Sequence, residues 1–189
     1  AHKFGLTTDE ADAYVKEVIA SDLEEPGVED VIRKVMKDIE DRDAAITEDE
    51  LRAEMERLFP VAAIATPNLP EARILAELPE GSADECADKL LPHIRHLLIT
   101  GGHGDEAEIH NRLYCADGSR HDFTCPRLPG SYHGSGCTLA SALAGRLALG
   151  EGLASAVKFA LDYTWRTLRD AEAPGRGQYI PRRLPLDLA

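Results

Sequence analysis

Residues 131–138 read SYHGSGCT, and residues 139–144 continue as LASALA, an apolar and alanine-rich run that predicts a helix. Gly134 and Gly136 flank a serine where this helix should begin. The first N–H groups of a helix have no partner within it, and the helix dipole favours negative charge there. Glycine lets these amides approach a phosphate oxygen, because it has no Cβ. The stretch therefore predicts an anion-binding loop, the alternative being an ordinary glycine turn that caps a core helix.

A second segment combines a predicted strand with two oxygen-bearing side chains. Residues 61–66 read VAAIAT and predict a short buried strand, and Asn68 and Glu71 follow at the start of a helix predicted over 69–78. Residues three apart share a helix face, so the amide and the carboxylate should point the same way. The pair fits a hydrated magnesium ion near phosphates, since Mg²⁺ prefers oxygen ligands and keeps several waters. The alternative is a helix cap with a solvated glutamate.

The remaining pattern predicts an α/β layer. Residues 97–104 read LLITGGHG, a buried strand that runs into a glycine turn, and residues 112–125 predict a hairpin. Further helices are predicted over 83–94, 135–148 and 153–170. Ligands in such sheets lie beyond the carboxyl ends of the strands, so three loops should gather there: 67–71, 101–104 and 131–137.

The first sixty residues differ in character from the rest. They hold 18 acidic and 8 basic side chains, a net charge of −10, whereas residues 61–189 carry a net charge of −3. Capping boxes begin at Thr7 and Thr47, and apolar residues recur with a helical period after each of them and from Val28 onward. This charge step predicts two modules: an acidic helical segment over 1–58 and an α/β module over 59–189.

Composition excludes several classes of protein. The net charge of −13 argues against a nucleic-acid surface, and no apolar run approaches the roughly 20 residues that span a bilayer. The four cysteines form no C-x-x-C pair, so a zinc site or a redox dithiol is not expected. With no leader pattern, the expected location is the cytoplasm.

The three segments, in this order, resemble the C-terminal half of bacterial hydroxymethylpyrimidine/phosphomethylpyrimidine kinase, a ribokinase-like enzyme of thiamine synthesis. The likeness runs from about Phe59 to the end of the chain. It rests on four stretches: TPNLPEA at 66–72, TGGH at 100–103, HGSGCTL at 133–139 and GRGQYIPRR at 175–183. The family's N-terminal half, with most of its pyrimidine contacts, has no counterpart before Phe59.

The resemblance implies the nucleotide-binding residues. Glu71, with Asn68 nearby, would organise Mg²⁺ and the ATP phosphates. Gly101 and Gly102 would lie along the nucleotide, and Thr138 would contact it.

The resemblance also implies the catalytic residues. The backbone of Gly134, Ser135, Gly136 and Cys137 would stabilise the phosphoryl group during transfer. Cys137 could accept the substrate hydroxyl proton, because a thiol near a helix N-terminus can have a lowered pKa. The alternative is a small residue that packs the helix start.

Residues 1–58 carry a resemblance of their own. FGL at 4–6, DAYVKEV at 12–18, SDLEEPGVEDV at 21–31 and RKV at 33–35 are similar to the zeta-type inhibitor subunit of alphaproteobacterial ATP synthase. The inhibitory part of that family would precede Ala1, so the resemblance implies its helical bundle and not its inhibition. The alternative is a generic acidic helical hairpin.

We therefore expect an α/β protein: a partial ribokinase-like layered sheet with helices, preceded by an all-α acidic helical segment. The expected activity is ATP- and Mg²⁺-dependent phosphoryl transfer to hydroxymethylpyrimidine or its monophosphate. The rival hypothesis is a helical binding module followed by an inactive kinase remnant. A third hypothesis is a truncated or artificially joined chain that has no activity of its own. A half-sheet would leave an open edge, which predicts either cover by the acidic helices or a homodimer.

Overall fold

The computed structural model describes residues 4–21, 29–42, 44, 46–47, 50, 53, 57–102, 104, 106–173 and 177–183. The chain forms two compact units, Ala1–Leu58 and Phe59–Ala189. Their boundary coincides with the step in charge along the sequence. The interpretation of the two units as an acidic helical segment and a kinase module stays a prediction.

The first unit contains helix α1 (Thr8–Ser21) and helix α2 (Glu29–Asp41). The backbone N–H of Thr7 donates to the Glu10 carboxylate at 2.9 Å, as the first capping box predicts. Tyr14 and Ile39 are the buried apolar residues that the structure describes here.

The third predicted helix begins as expected and is described in part, at residues 47, 50, 53 and 57–58. The Thr47 N–H donates to the Glu50 carboxylate at 2.9 Å, and the Glu50 N–H donates to Thr47 Oγ1 at 3.2 Å. Its predicted apolar face consists of Leu51, Met55 and Leu58; Leu51 and Met55 lie outside the described residues, and Leu58 is 62% exposed.

The four helices of the second unit match the predicted ones in place and type. They are α3 (Leu69–Ala76), α4 (Ala83–Leu90), α5 (Ser135–Ala148) and α6 (Leu153–Arg169). Helices α3 and α4 each begin with a complete capping box. Because such caps satisfy N–H groups locally, these starts can be predicted from sequence alone.

Three strands form the sheet: β1 (His96–Ile99), β2 (Glu108–Cys115) and β3 (Arg120–Pro126), in the order β1-β2-β3. The pairs β1–β2 and β2–β3 are both antiparallel. The predicted hairpin is confirmed as β2–β3. The link from β1 to β2, residues 100–107, is shorter than the dozen or so residues that a parallel crossover needs. The short link therefore accounts for the antiparallel pairing of β1 with β2.

The strand predicted over 61–66 is not formed. Among the isolated bridges, only the parallel one between Ala65 and Leu97 falls within this segment, and a second, between Asn68 and Thr100, lies beyond it. Val61 is 79% exposed. The segment pairs with β1 on one side only, and proline at 60 and 67 removes backbone donors.

Helices cover both faces of the sheet. Side chains alternate across β1 and β2, so that one face packs against α3 and α4 and the other against α5 and α6. The first cluster includes Leu97, Ile99, Tyr114, Ala72, Ala76 and Leu90. The second includes Leu98, Leu113, Cys115, Leu139, Leu143 and Val157. The second unit therefore has three layers, helix–sheet–helix. Within the described part of the chain, every helix is too short or too polar to cross a bilayer.

Candidate functional site

The first turn of α5 is open to a ligand. Gly134 occupies the N-cap position with φ +82°, and no side chain caps the helix. The first helical hydrogen bond is donated by the Thr138 N–H to the Gly134 carbonyl at 3.0 Å. The amides of residues 135–137 therefore precede the regular ladder and have no side-chain cap. This is the arrangement expected of an anion-binding loop.

The two glycines of this loop differ in what their surroundings require. Gly134 needs a left-handed conformation, and a Cβ there would lie 2.7 Å from Nη2 of Arg183. Gly136 has an ordinary φ, and no described atom lies within 4 Å of the place that its Cβ would take. Packing within the described residues does not explain Gly136, and the space beside it suits a ligand.

The C-terminal tail holds this loop in place. Tyr179 and Tyr132 form a parallel bridge. The His133 N–H donates to the Tyr179 carbonyl at 3.0 Å, and the Tyr179 N–H donates to the Ser131 carbonyl at 2.9 Å. The tail is thus part of the site, although the anion-binding loop precedes it by more than 40 residues.

Arg183 is a site residue that the sequence reasoning missed. Its Nε donates to Thr138 Oγ1 at 3.0 Å, and this hydroxyl donates to the Gly134 carbonyl at 2.7 Å. The Tyr163 hydroxyl donates to the Arg183 carbonyl. The available signal was the motif GRGQYIPRR, which carries the family resemblance but assigns no role to its arginines. Thr138 is buried, and its hydroxyl serves this internal link, so its contact with a nucleotide stays a prediction.

An open cavity of about 460 Å³ lies beside the loop. It is lined by residues of α5, by two aromatic residues of α6 and by the tail arginine: Cys137, Thr138, Ser141, Ala142, Phe159, Tyr163 and Arg183. The rings of Phe159 and Tyr163 are stacked, with centroids 6.1 Å apart. An apolar wall next to free amides and a cation suits a ligand that is part aromatic and part anionic.

Cys137 is the exposed cysteine of the four, and all four are free thiols. Burial raises the pKa of the Cys86 and Cys125 thiols, which makes them poor nucleophiles and poor bases near neutral pH. Cys137 lines the cavity at the first turn of α5. Its position is compatible with the predicted proton acceptor, which stays a prediction.

Asn68 and Glu71 form the helix cap that was the alternative interpretation of their spacing. The Glu71 N–H donates to Asn68 Oδ1 at 2.9 Å, and the Asn68 N–H donates to Glu71 Oε2 at 2.9 Å. The cap uses one carboxylate oxygen of Glu71 and leaves Oε1 out of it. The described residues contain no group of three His, Cys, Asp or Glu that could hold a metal. A single carboxylate still fits Mg²⁺ that is held mostly by phosphates and water.

The glycine turn after β1 is packed tightly against β2. A Cβ on Gly101 would lie 2.5 Å from the His110 carbonyl oxygen, and Gly102 has φ +105°. The Gly101 N–H donates to Oδ1 of the buried Asn111 at 3.3 Å. Packing alone thus accounts for glycine at 101, and its contact with the nucleotide stays a prediction.

Arg127 fastens this turn and is a second residue that sequence reasoning missed. Its Nη1 donates to the Gly102 carbonyl at 2.9 Å, and its Nε donates to the Glu106 carbonyl at 2.6 Å. No local pattern signals the role, because Arg127 lies 25 positions beyond Gly102 in the sequence.

Two of the predicted loops meet at the carboxyl end of β1. The Leu69 N–H donates to the Thr100 carbonyl at 3.0 Å, and the Thr100 N–H donates to the Pro67 carbonyl at 2.9 Å. The loop 67–71 and the glycine turn 101–102 are therefore neighbours.

The first turn of α5 lies at this same end of the sheet. Strands β1 and β3 run in the same direction, since each is antiparallel to β2. Their carboxyl termini therefore lie at the same end of the sheet. Trp165, near the end of α6, donates from Nε1 to the carbonyl of Pro126, the last residue of β3, at 2.9 Å. Cys137 of α5 and Tyr163 of α6 line one cavity, which puts the start of α5 beside the end of α6. The three loops thus occupy one end of the unit.

The second unit has three layers with its loops at one end, and the likeness to solved structures shows that the fold is ribokinase-like. The chain is similar to Bacillus subtilis pyridoxal kinase, solved as an ADP complex, with 23% identity, a TM-score of 0.66, and coverage of 84% of this chain and 66% of that one. It is also similar to Staphylococcus aureus pyridoxal kinase in complex with AMP-PCP, with 25% identity and a TM-score of 0.66. The superposed part covers 73% of this chain and 52% of that one.

The chain belongs to the phosphomethylpyrimidine kinase family, whose model matches residues 1–182. It is 40% identical over 131 residues to the thiamine biosynthesis bifunctional protein ThiED of Geobacter sulfurreducens. The aligned stretch covers 65% of this chain and 26% of that protein. It is 37% identical over 126 residues to the hydroxymethylpyrimidine/phosphomethylpyrimidine kinase of Mycobacterium tuberculosis. The aligned stretch covers 64% of this chain and 46% of that kinase. The chain thus spans about a quarter of the bifunctional protein and about half of the kinase.

The family match includes the acidic segment. Since the family model runs through residues 1–182, it covers the 1–58 segment as well as the α/β unit. The likeness of residues 1–58 to the synthase inhibitor subunit is not shown by these matches and stays a prediction.

Proposed function

We propose that this chain provides the ATP-binding and phosphoryl-transferring half of a hydroxymethylpyrimidine/phosphomethylpyrimidine kinase of thiamine biosynthesis, acting in the cytoplasm. The observation that carries the proposal is the first turn of α5: no side chain caps it, a Cβ on Gly136 would meet open space, and Cys137 lines a cavity of about 460 Å³. Family membership makes a transferring phosphoryl group the expected anion.

The reaction is an in-line displacement at the γ-phosphorus of ATP. An oxygen of the acceptor forms a bond to this phosphorus while the bond to the β-phosphate oxygen breaks, which releases ADP. The amides of Ser135, Gly136 and Cys137 donate to the transferring group, whose charge they stabilise without reorganising. Gly101, Gly102 and Thr138 contribute to the nucleotide site. Asn68 orients Glu71, which would help to hold Mg²⁺ together with the phosphates, where the ion would neutralise phosphate charge.

The role of Cys137 depends on the acceptor. When the acceptor is the hydroxymethyl group, its proton must leave, and Cys137 is the proposed acceptor of that proton. When the acceptor is the monophosphate, the attacking phosphate oxygen is already ionised and needs no base. Cys137→Ser should therefore slow phosphorylation of the alcohol more than phosphorylation of its monophosphate.

Calorimetry with MgATP and with hydroxymethylpyrimidine, separately and together, tests the proposal, with ADP release measured in parallel. Saturable MgATP binding and pyrimidine-dependent ADP release support it. Nucleotide binding without pyrimidine binding indicates half a site, with the pyrimidine contacts supplied elsewhere. Failure to bind MgATP under conditions where the chain is folded overturns it.

A second candidate is a helical binding module with an inactive kinase remnant. It is favoured by one observation: residues 1–58 form a compact unit of their own and carry most of the negative charge. This candidate predicts capture of ATP synthase subunits by the full chain and no ADP release.

We also propose that the chain forms a homodimer through the sheet. Strand β3 ends the strand order β1-β2-β3 among the described residues, and an open edge invites pairing with a second copy. Light scattering coupled to gel filtration distinguishes the two states, and a monomer at high concentration contradicts the proposal.

A further inference from the structure

We infer that Arg183 binds the terminal phosphates of the nucleotide directly, as a side-chain cation that completes the anion-binding loop of α5. The inference rests on the proposed function of that loop. It adds a charged partner to a site otherwise built from neutral amides.

The guanidinium lies over the loop. Its Nε donates to Thr138 Oγ1 at 3.0 Å, and its Nη2 lies 2.7 Å from the position that a Cβ on Gly134 would take. Arginine has five N–H donors in a rigid fork, and the bond to Thr138 uses one of them. Nη2 thus lies beside Gly134, the N-cap residue of a helix that no side chain caps.

Arg183 also lacks an acidic partner among the residues that the structure describes. Neighbouring arginines are paired: Arg182 contacts Glu172 at 3.3 Å, and Arg169 contacts Asp170 at 2.8 Å. In a chain of net charge −13, an arginine that lines a cavity without a carboxylate is available to an anionic ligand.

Hydrogen bonds fix the backbone on both sides of the Arg183 side chain. The Arg182 N–H donates to the Thr167 carbonyl at 2.9 Å, and the Tyr163 hydroxyl donates to the Arg183 carbonyl. Both partners lie on α6, so the tail is attached to the helix that forms the other wall of the cavity. Because the arginine is already positioned, binding a phosphate orders little additional chain. A planar fork matches two phosphate oxygens, which a lysine cannot do in the same way.

The test compares Arg183→Ala, Arg183→Lys and the matched control Arg182→Ala, which removes the same charge one residue earlier. Dissociation constants for MgATP and for AMP are measured by calorimetry, and a thermal unfolding curve shows that each variant is folded. Arg183→Ala should weaken MgATP binding by roughly 10- to 100-fold, the usual effect of a hydrogen bond to a charged group. AMP, which lacks the terminal phosphates, should bind with little change. Arg183→Lys should fall between the parent and Arg183→Ala, and Arg182→Ala should match the parent.

The outcomes separate this inference from the proposed function. If the parent chain binds MgATP and Arg183→Ala binds it equally well, the role of Arg183 is wrong and the proposed function stands. Equal losses for MgATP and AMP, or an equal loss in Arg182→Ala, also overturn the role. If the parent chain does not bind MgATP, both ideas fall together.

Discussion

Gly136→Ala separates the stability of α5 from its proposed function. Gly136 and Gly145 both lie in α5 with ordinary φ values, and at neither position does a described atom lie within 4 Å of a new Cβ. Alanine is favoured over glycine in a helix by up to about 1 kcal/mol. Gly145→Ala should therefore raise the melting temperature by about 2–4 °C. Gly136→Ala should raise it less, because residue 136 lies in the first turn.

The two variants should differ sharply in nucleotide binding. A methyl group at 136 occupies the space beside the uncapped amides, where the transferring phosphoryl group is proposed to lie. The backbone N–H groups stay in place, but the methyl group would keep the phosphoryl oxygens from reaching them, and losing contact with one such donor typically lowers turnover by about 10²- to 10³-fold. We expect the rate of ADP release by Gly136→Ala to fall to this extent and its MgATP binding to weaken, whereas Gly145→Ala keeps both.

Calorimetry with MgATP and a coupled assay of ADP release measure the two effects, and thermal unfolding without nucleotide confirms the fold. If Gly136→Ala binds MgATP as tightly as Gly145→Ala, the phosphates do not lie on this loop. The interpretation of residues 131–138 as an anion-binding loop would then be refuted, and Gly136 would be an ordinary first-turn residue.

Three further predictions concern other parts of the second unit. Glu71→Gln keeps the helix cap, because glutamine also serves in a capping box, but it removes the negative charge. The free energy of unfolding in urea should barely change, while the rate of Mg²⁺-dependent ADP release should fall roughly 10- to 100-fold. Gly101→Ala puts a Cβ 2.5 Å from the His110 carbonyl oxygen, so its free energy of unfolding should fall by about 1–3 kcal/mol in a urea titration. Burial and the hydrogen bond to Asp84 raise the pKa of Tyr114 from 10.0 to about 12. The neutral form is thus favoured in the folded state, and its contribution to stability is present below pH 10 and lost as the pH rises toward 12. Tyr114→Phe should remove this part of the pH dependence of the urea midpoint, and an unchanged slope would contradict the assignment.

The elements that sequence predicts well depend on local interactions. The starts of α3 and α4 follow from capping boxes whose partners lie three residues apart. The hairpin β2–β3 follows from alternating residues and a turn with Gly118 at φ +82°. Such signals are contained within a few neighbouring residues, so the chain needs no tertiary contact to reveal them.

The segment 61–66 shows where this reasoning stops. Its apolar composition predicts a buried strand, but a strand also needs partners along its length. Only Ala65 within the segment pairs with β1, and Val61 is largely exposed. Composition does not report which neighbours a segment will find, so the prediction was wrong there.

By itself, the sequence determined the helices and their caps, the hairpin, the glycine loop at the start of α5 and the family to which the chain belongs. Only the tertiary structure decided that Arg183 lies over that loop, 45 residues from its partner Thr138, and that Arg127 fastens the glycine turn. The physical reason is the range of the interactions. Caps and turns are satisfied within a few residues, whereas a guanidinium finds its acceptor only after sheet and helices have brought distant segments together.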